Sequence, residues 1–302
     1  MNFYILLIIN LILFLITQNH KAMNKISLLM AVLFIYQISN AQTVIKNGDY
    51  ISGTWKKSGS PYIIEGEAIV EVGKTLKIKP GVVVKFKTGG EQRDYPESDF
   101  SMGFLRINGV LLAKGKKGSE ITFTRKETYG NWGVIQIADR TNSSVLSYCN
   151  IEHSMYIRSI VSGDNATGAI SCYKSSPTIS NCVITYSWSG INCKENSSPI
   201  VKNNTITENE YGIECNTNSS PKIENTIVWN NSNSFFFNGE SAPSFSYSLI
   251  QENPAKFGVE DNGTNIIGAN PYFIDASQGN YNLRKDSPAK GKASNKGNIG
   301  AL

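Results

Sequence analysis

Three observations predict an all-β fold, a single right-handed parallel β-helix solenoid with coils of about 22 residues. The triplets Ser175-Ser176-Pro177, Ser197-Ser198-Pro199, Ser219-Ser220-Pro221 and Ser241-Ala242-Pro243 recur every 22 residues without a gap. Two columns are apolar in every copy: Ile179, Val201, Ile223 and Phe245 two residues after the Pro, and Ile184, Ile206, Val228 and Ile250 seven after it. The residues between them are Asn, Ser, Thr and Gly, which favour turns over helix interiors; thirteen Asn fall between positions 175 and 240.

Each unit holds three short extended pieces. The first two carry the invariant columns, and the third carries the alternation Ile191-x-Cys193, Ile213-x-Cys215 and Phe235-x-Phe237, one face inward. A unit this short cannot bury its apolar face alone and must stack on copies of itself. Leucine-rich repeats share the length, but no Leu occurs from Ser147 to Ser248, and the β-branched, Asn-rich composition offers no helix for a convex side. Upstream, Leu146 to Ile151 matches Ile179 to Ile184 at an offset of 33, one coil plus an eleven-residue insertion for which 162–168 is suited. At about 22 residues per coil, the chain beyond residue 41 would form eleven or twelve coils. The segment 42–64 and the tail 270–302 are expected to cap the two ends, because an open solenoid terminus presents unpaired backbone.

The N-terminus reads as a leader. Two apolar runs, Phe3 to Ile16 and Ile26 to Tyr36, are each shorter than the roughly 20 residues of a spanning helix. Met23-Asn24-Lys25 precedes the second run and Ser39-Asn40-Ala41 follows it, which makes 23–41 a signal peptide within a leader of 1–41. The domain 42–302 is then expected to be secreted, periplasmic or at the cell envelope, with no stable membrane span. The alternative is anchoring through an uncleaved N-terminal segment.

Composition limits the partners. The net charge of +5 over 302 residues is small and no Lys/Arg cluster exceeds a pair, so nucleic acid is not an expected partner. His153 is the only imidazole beyond the leader and no Cys-x-x-Cys spacing occurs, so neither zinc nor another metal or cofactor is expected.

Register residues stand out as structural candidates. Asn181, Asn203 and Asn225 share the column four after the Pro, where stacked amides are expected to hydrogen-bond from coil to coil. Cys149 and Cys182 fall in one inward column and Cys172, Cys193 and Cys215 in another. Side chains stacked this way point in the same direction, which suits buried free thiols better than disulfides.

The chain resembles the right-handed β-helix, pectin-lyase-like repeat proteins exported by bacteria, those of the Bacteroidetes especially. The likeness runs through Gly53-Thr54-Trp55, Gly73-Lys74-Thr75-Leu76-Lys77-Ile78-Lys79-Pro80-Gly81, Gly130-Asn131-Trp132-Gly133, Asn270-Pro271-Tyr272-Phe273 and Gly297-Asn298-Ile299-Gly300-Ala301. It covers most of 42–302 and speaks to fold more than to activity. Enzymes on this fold are implied to be polysaccharide lyases or glycoside hydrolases, which need clustered charge on one outer strand column. Here that column reads Asn192, Glu214 and Phe236, a poor match.

The best local candidate for ligand binding is the turn region where Glu208, Glu210 and Glu214 lie near Tyr186, Trp188, Tyr211 and Trp229 on neighbouring coils, since aromatic faces beside carboxylates suit sugars. A second is the acidic insertion from Glu91 to Phe100. Two readings follow. One is a non-catalytic exported solenoid that binds a polysaccharide or a cell-surface protein; the other is a polysaccharide lyase or glycoside hydrolase acting on the solenoid flank. No residue is singled out as catalytic, and no oligomeric state is implied.

Overall fold

The computed structural model describes residues 42–89, 102–157, 166–259 and 261–301. The leader 1–41 and the acidic insertion from Glu91 to Phe100 lie outside them, as does most of the 162–168 excursion. Gln42–Leu302 forms one compact unit.

Three long parallel sheets wrap around a single core. The first has ten strands, from Thr43–Ile45 to Ile266–Ile267; the second has eight, from Asp49–Tyr50 to Asn233–Phe237; the third has eight, from Gly53–Trp55 to Ser244–Ser246. Strand neighbours come from successive coils, so each of the first eight coils lays one short strand on each sheet, and the strands Leu249–Ile250 and Ile266–Ile267 extend the first sheet alone. The register is that of the repeat: Ile184 pairs with Ile206 and Ile206 with Val228, while Ile179, Val201 and Ile223 pair in the third sheet. All of these side chains are at most 1% exposed.

Ten strands in the longest sheet are fewer than the eleven or twelve coils expected from length alone. Two causes are visible. Upstream coils are longer: Val84 pairs with Phe123 and Ile151 with Ile184, at separations of 39 and 33 against 22 for Ile184 to Ile206. The residues after 267 also leave the coil altogether. The 33-residue offset at Leu146 and Ile179 is real pairing, and part of its extra length forms an antiparallel stem of Tyr156–Ile157 with Ala166–Thr167.

Side-chain ladders close the corners, but not in the expected column. Asn181, Asn203 and Asn225 hold left-handed backbone, with φ near 53°, a conformation Asn tolerates better than most residues. The coil-to-coil side-chain bonds run one position later. Cys182 N donates to Asn204 Oδ1 at 2.9 Å, Asn204 N to Thr226 Oγ1 at 3.3 Å and Thr226 N to Ser248 Oγ at 3.1 Å. At the next corner Ser187 N donates to Asn209 Oδ1 and Asn209 N to Asn231 Oδ1, both at 3.0 Å.

The repeated Ser pairs form a ladder in both directions. Ser175, Ser197 and Ser219 each donate their N–H to the hydroxyl one coil ahead, while Ser198, Ser220 and Ala242 donate to the hydroxyl one coil behind. Buried backbone donors at a corner have no strand partner, and these side chains supply one.

All five cysteines are buried and none is in a disulfide. Cys172, Cys193 and Cys215 occupy one register position in the second sheet. Burial and the adjacent Cys182 push the Cys149 thiol well above its ordinary value.

The two ends are built differently from expectation. Residues 43–64 form the first coil itself, with Trp55 stacked on Tyr62 at 4.3 Å. At the far end the short helix Pro254–Phe257 covers the core, Phe257 meeting Phe235 at 5.5 Å and Phe237 at 6.1 Å.

The C-terminal tail is not an end cap. After an antiparallel hairpin of Phe273–Asp275 with Asn280–Leu283, it runs along the outer face of the first sheet as a strap. Leu283, Ala289, Ala293 and Ile299 bury the outward side chains of Ile227 and Leu249, while Tyr281 and Ala301 pack against Val183. Gly300 N donates to Asn225 O at 2.9 Å, Ala301 N to Thr205 Oγ1 at 3.1 Å and Ser294 N to Asn225 Oδ1 at 2.8 Å. Gly300 has φ +104°, and a Cβ there would stand 2.8 Å from Ile227 Cδ1, so this close approach requires glycine.

Candidate functional site

The corner between the first and second sheets positions the candidate residues. In each regular coil one residue adopts left-handed backbone, the next turns inward to join the buried ladder, and the next points out. Tyr186, Ser187 and Trp188 fill these places in one coil, and Glu208, Asn209 and Glu210 in the following one. The ladder between Ser187, Asn209 and Asn231 therefore fixes the backbone on which two outward rows stand.

The structure divides six of the seven expected ligand-binding residues between two surfaces and buries the seventh, Glu214. On the second-sheet side, Tyr156, Trp188, Tyr211 and Phe236 make a continuous aromatic ridge. Successive ring centroids are 5.6, 6.1 and 6.1 Å apart, at interplanar angles of 71°, 50° and 74°. Trp188 is 38% exposed and Phe236 43%. Glu210 is exposed beside the ridge, its carboxylate 3.5 Å from Asn233 Nδ2.

Glu214 stands in the outward column with Asn192 and Phe236, as the pairing requires, but it is not open to solvent. The stem of the antiparallel excursion lies over it. Its Oε2 accepts from Thr167 Oγ1 at 3.0 Å and from Asn192 Nδ2 at 3.2 Å, leaving the residue 8% exposed. A carboxylate so engaged is placed to hold the stem down rather than to meet a substrate.

On the other side of the corner, Tyr186, Glu208 and Trp229 face the strap. Tyr186 stacks on His153 at 5.3 Å, and Tyr281 of the strap donates to Glu208 Oε2 at 3.0 Å with its phenol oxygen 3.4 Å from that of Tyr186. Burial, the Tyr186 hydroxyl and the Glu208 charge together raise the Tyr281 phenol far above its ordinary value. Burial and the Arg125 charge hold His153 below its ordinary value. Trp229 and Glu208 line a pocket of about 390 Å3 together with Tyr272 and Arg284, the guanidinium carbon 5.5 Å from the Tyr272 ring.

Comparison with known proteins agrees with the β-helix architecture. A family model described as a right handed beta helix region matches residues 108–274. The chain belongs to the right-handed β-helix family. No curated protein matches it. The family fixes architecture and leaves chemistry to the particular side chains on the flanks.

Tyr156, Phe236, Tyr272, Tyr281 and Arg284 belong to these surfaces and do not stand out in the sequence as site residues. Phe236 is visible there only as a poor fit to a charged column. The three strap and hairpin residues are brought in from up to 95 positions away, as Tyr281 is to Tyr186, and nothing in the repeat indicates where the tail will lie.

Proposed function

We propose that this β-helix protein is exported and binds a polysaccharide, without catalysis, across the aromatic ridge of Tyr156, Trp188, Tyr211 and Phe236. The observation that carries this reading is the row of four touching rings, which crosses successive coils with its two largest exposures at Trp188 and Phe236. Rings with an exposed face bury the apolar C–H face of a sugar, and neighbouring polar groups such as Glu210 take its hydroxyls. The engagement of Glu214 by Thr167 and Asn192 weighs against a lyase or hydrolase centred there. The leader reading of residues 1–41 supports delivery to the cell envelope or beyond, where polysaccharide is available.

The test is a binding panel of neutral and uronate polysaccharides with the purified protein, scored in parallel for unsaturated product and for new reducing ends. Trp188→Ala combined with Phe236→Ala is expected to weaken binding by about tenfold or more, as loss of aromatic anchors does, while thermal unfolding stays cooperative. Turnover of any polysaccharide that Glu214→Ala abolishes would replace binding with catalysis.

A further inference from the structure

At the corner between the second and third sheets the coils differ in length. Only Asn108 and Gly109 separate Ile107 from Val110, whereas the seven residues 138–144 join Ile137 to Val145 one coil later. The short turn leaves a recess beside the long one. Between Val72–Gly73 on one side and Arg140 and Lys174 on the other lies a groove of about 550 Å3, the size of a small-molecule site.

Both sides of this recess are fixed by the backbone. A Cβ on Gly109 would lie 2.1 Å from Glu71 O and 2.3 Å from Lys74 O, so only glycine can make the turn. The long loop is wound around Asp139, whose carboxylate accepts from Thr141 N, Ser143 N, Ser144 N and Ser144 Oγ, each at 2.9 Å, and from Thr141 Oγ1 at 2.5 Å. Burial alone would raise the Asp139 carboxyl, but these hydrogen bonds outweigh it and keep the group ionised. The acid is thus spent on the loop.

Of the three cations lining the groove, only Arg106 is committed to an ion pair. Arg106 is held by Glu67, and its guanidinium lies 5.9 Å from the Phe104 ring. Lys174 rests its ammonium 4.9 Å from the Tyr173 ring, and Arg140 is exposed. Among the described residues neither Lys174 nor Arg140 has an ion-pair partner, although Glu195 acts on Lys174 at longer range. Asn108 and Gln136 bring amides to the same groove.

We infer that this groove binds an oxyanion, a carboxylate, sulfate or phosphate carried on a polar body of sugar size, with Arg140 and Lys174 as its charge contacts. The groove shares no residue with the aromatic ridge, so the inference stands apart from polysaccharide binding there. Calorimetric or NMR titration of the full chain with glucuronate, glucose 6-sulfate, glucose 6-phosphate and glucose tests it. At least one charged probe is expected to bind about tenfold more tightly than glucose and to weaken as salt rises; the tightest arm identifies the oxyanion. Arg140→Ala with Lys174→Ala should remove that advantage at unchanged thermal stability, and Trp188→Ala should leave it intact. Equal binding of all four probes, unchanged affinity in the double variant, or loss in Trp188→Ala would each overturn the assignment.

Discussion

The coils before residue 138 and those from 175 to 250 solve the same packing problem with different materials. The three bulkiest fully buried side chains, Trp132, Phe86 and Phe123, all lie in the first region. There Phe86 stacks on Trp132 at 4.1 Å and meets Phe123 at 6.4 Å. The regular coils bury Ile, Val and Cys, with rings entering their core only at the far end as Phe235 and Phe245, and their corners carry the Ser, Asn and Thr ladders. Where coil length varies, side chains at the corners do not fall in register and apolar volume holds the coils together. Where it is constant, every corner can hydrogen-bond to its copies.

Four measurements would break or sharpen this contrast. The largest effect is expected at Trp132→Ala, which removes a fully buried ring and an indole N–H donated to Glu152 O at 2.7 Å; chemical denaturation should show a loss of about 3–5 kcal/mol. Next comes Asn209→Ala in the regular region. It strips the partner from the buried Ser187 N–H and frees the carbonyls of Ile184 and Thr207, for a loss of about 2–3 kcal/mol. Asn203→Ala, one corner away, forfeits only left-handed tolerance and should cost about 1 kcal/mol. If Asn203→Ala proved the costlier of the two, the ladder would have been placed in the wrong column.

The third measurement is pH dependence. His153 has a folded pKa below its unfolded value, so the unfolded chain binds the extra proton, and stability rises with pH. The contribution is complete above the ordinary histidine value and is lost as pH falls below it toward the depressed folded value. Thermal unfolding midpoints between pH 7 and 5 should fall less steeply in His153→Gln than in the parent. The smallest effect concerns chemistry rather than stability. Thiol titration of denatured, unreduced protein should count five groups, and a count of one or three would mean that stacked coils tolerate disulfides after all.

How much of this was readable beforehand depends on geometry. The inward columns at Ile179 and Ile184 are legible because a strict period of 22 carries them. The ridge is not, because its rings at 188, 211 and 236 are 23 and 25 residues apart and run obliquely across the columns. The covered outer face left a trace that could have been read. Val183-Ile184, Ile227-Val228 and Leu249-Ile250 are apolar on both sides of the strand, the signature of a sheet buried on two faces. What would cover it could not be deduced, since the strap meets Thr205 from 96 residues away.

The strap also bears on the number of coils. A solenoid held only by contacts between neighbours can gain or lose a unit at little cost, and the unbroken Ser ladder would rejoin across a 22-residue deletion. Here Ala301 is tied to Thr205, Ser294 to Asn225 and Tyr281 to Glu208, so the tail is matched to particular coils at fixed separations along the axis. It acts as a ruler: a protein with one repeat more or fewer would present its tail with the wrong spacing, and the length of the array is thereby set by a segment outside it.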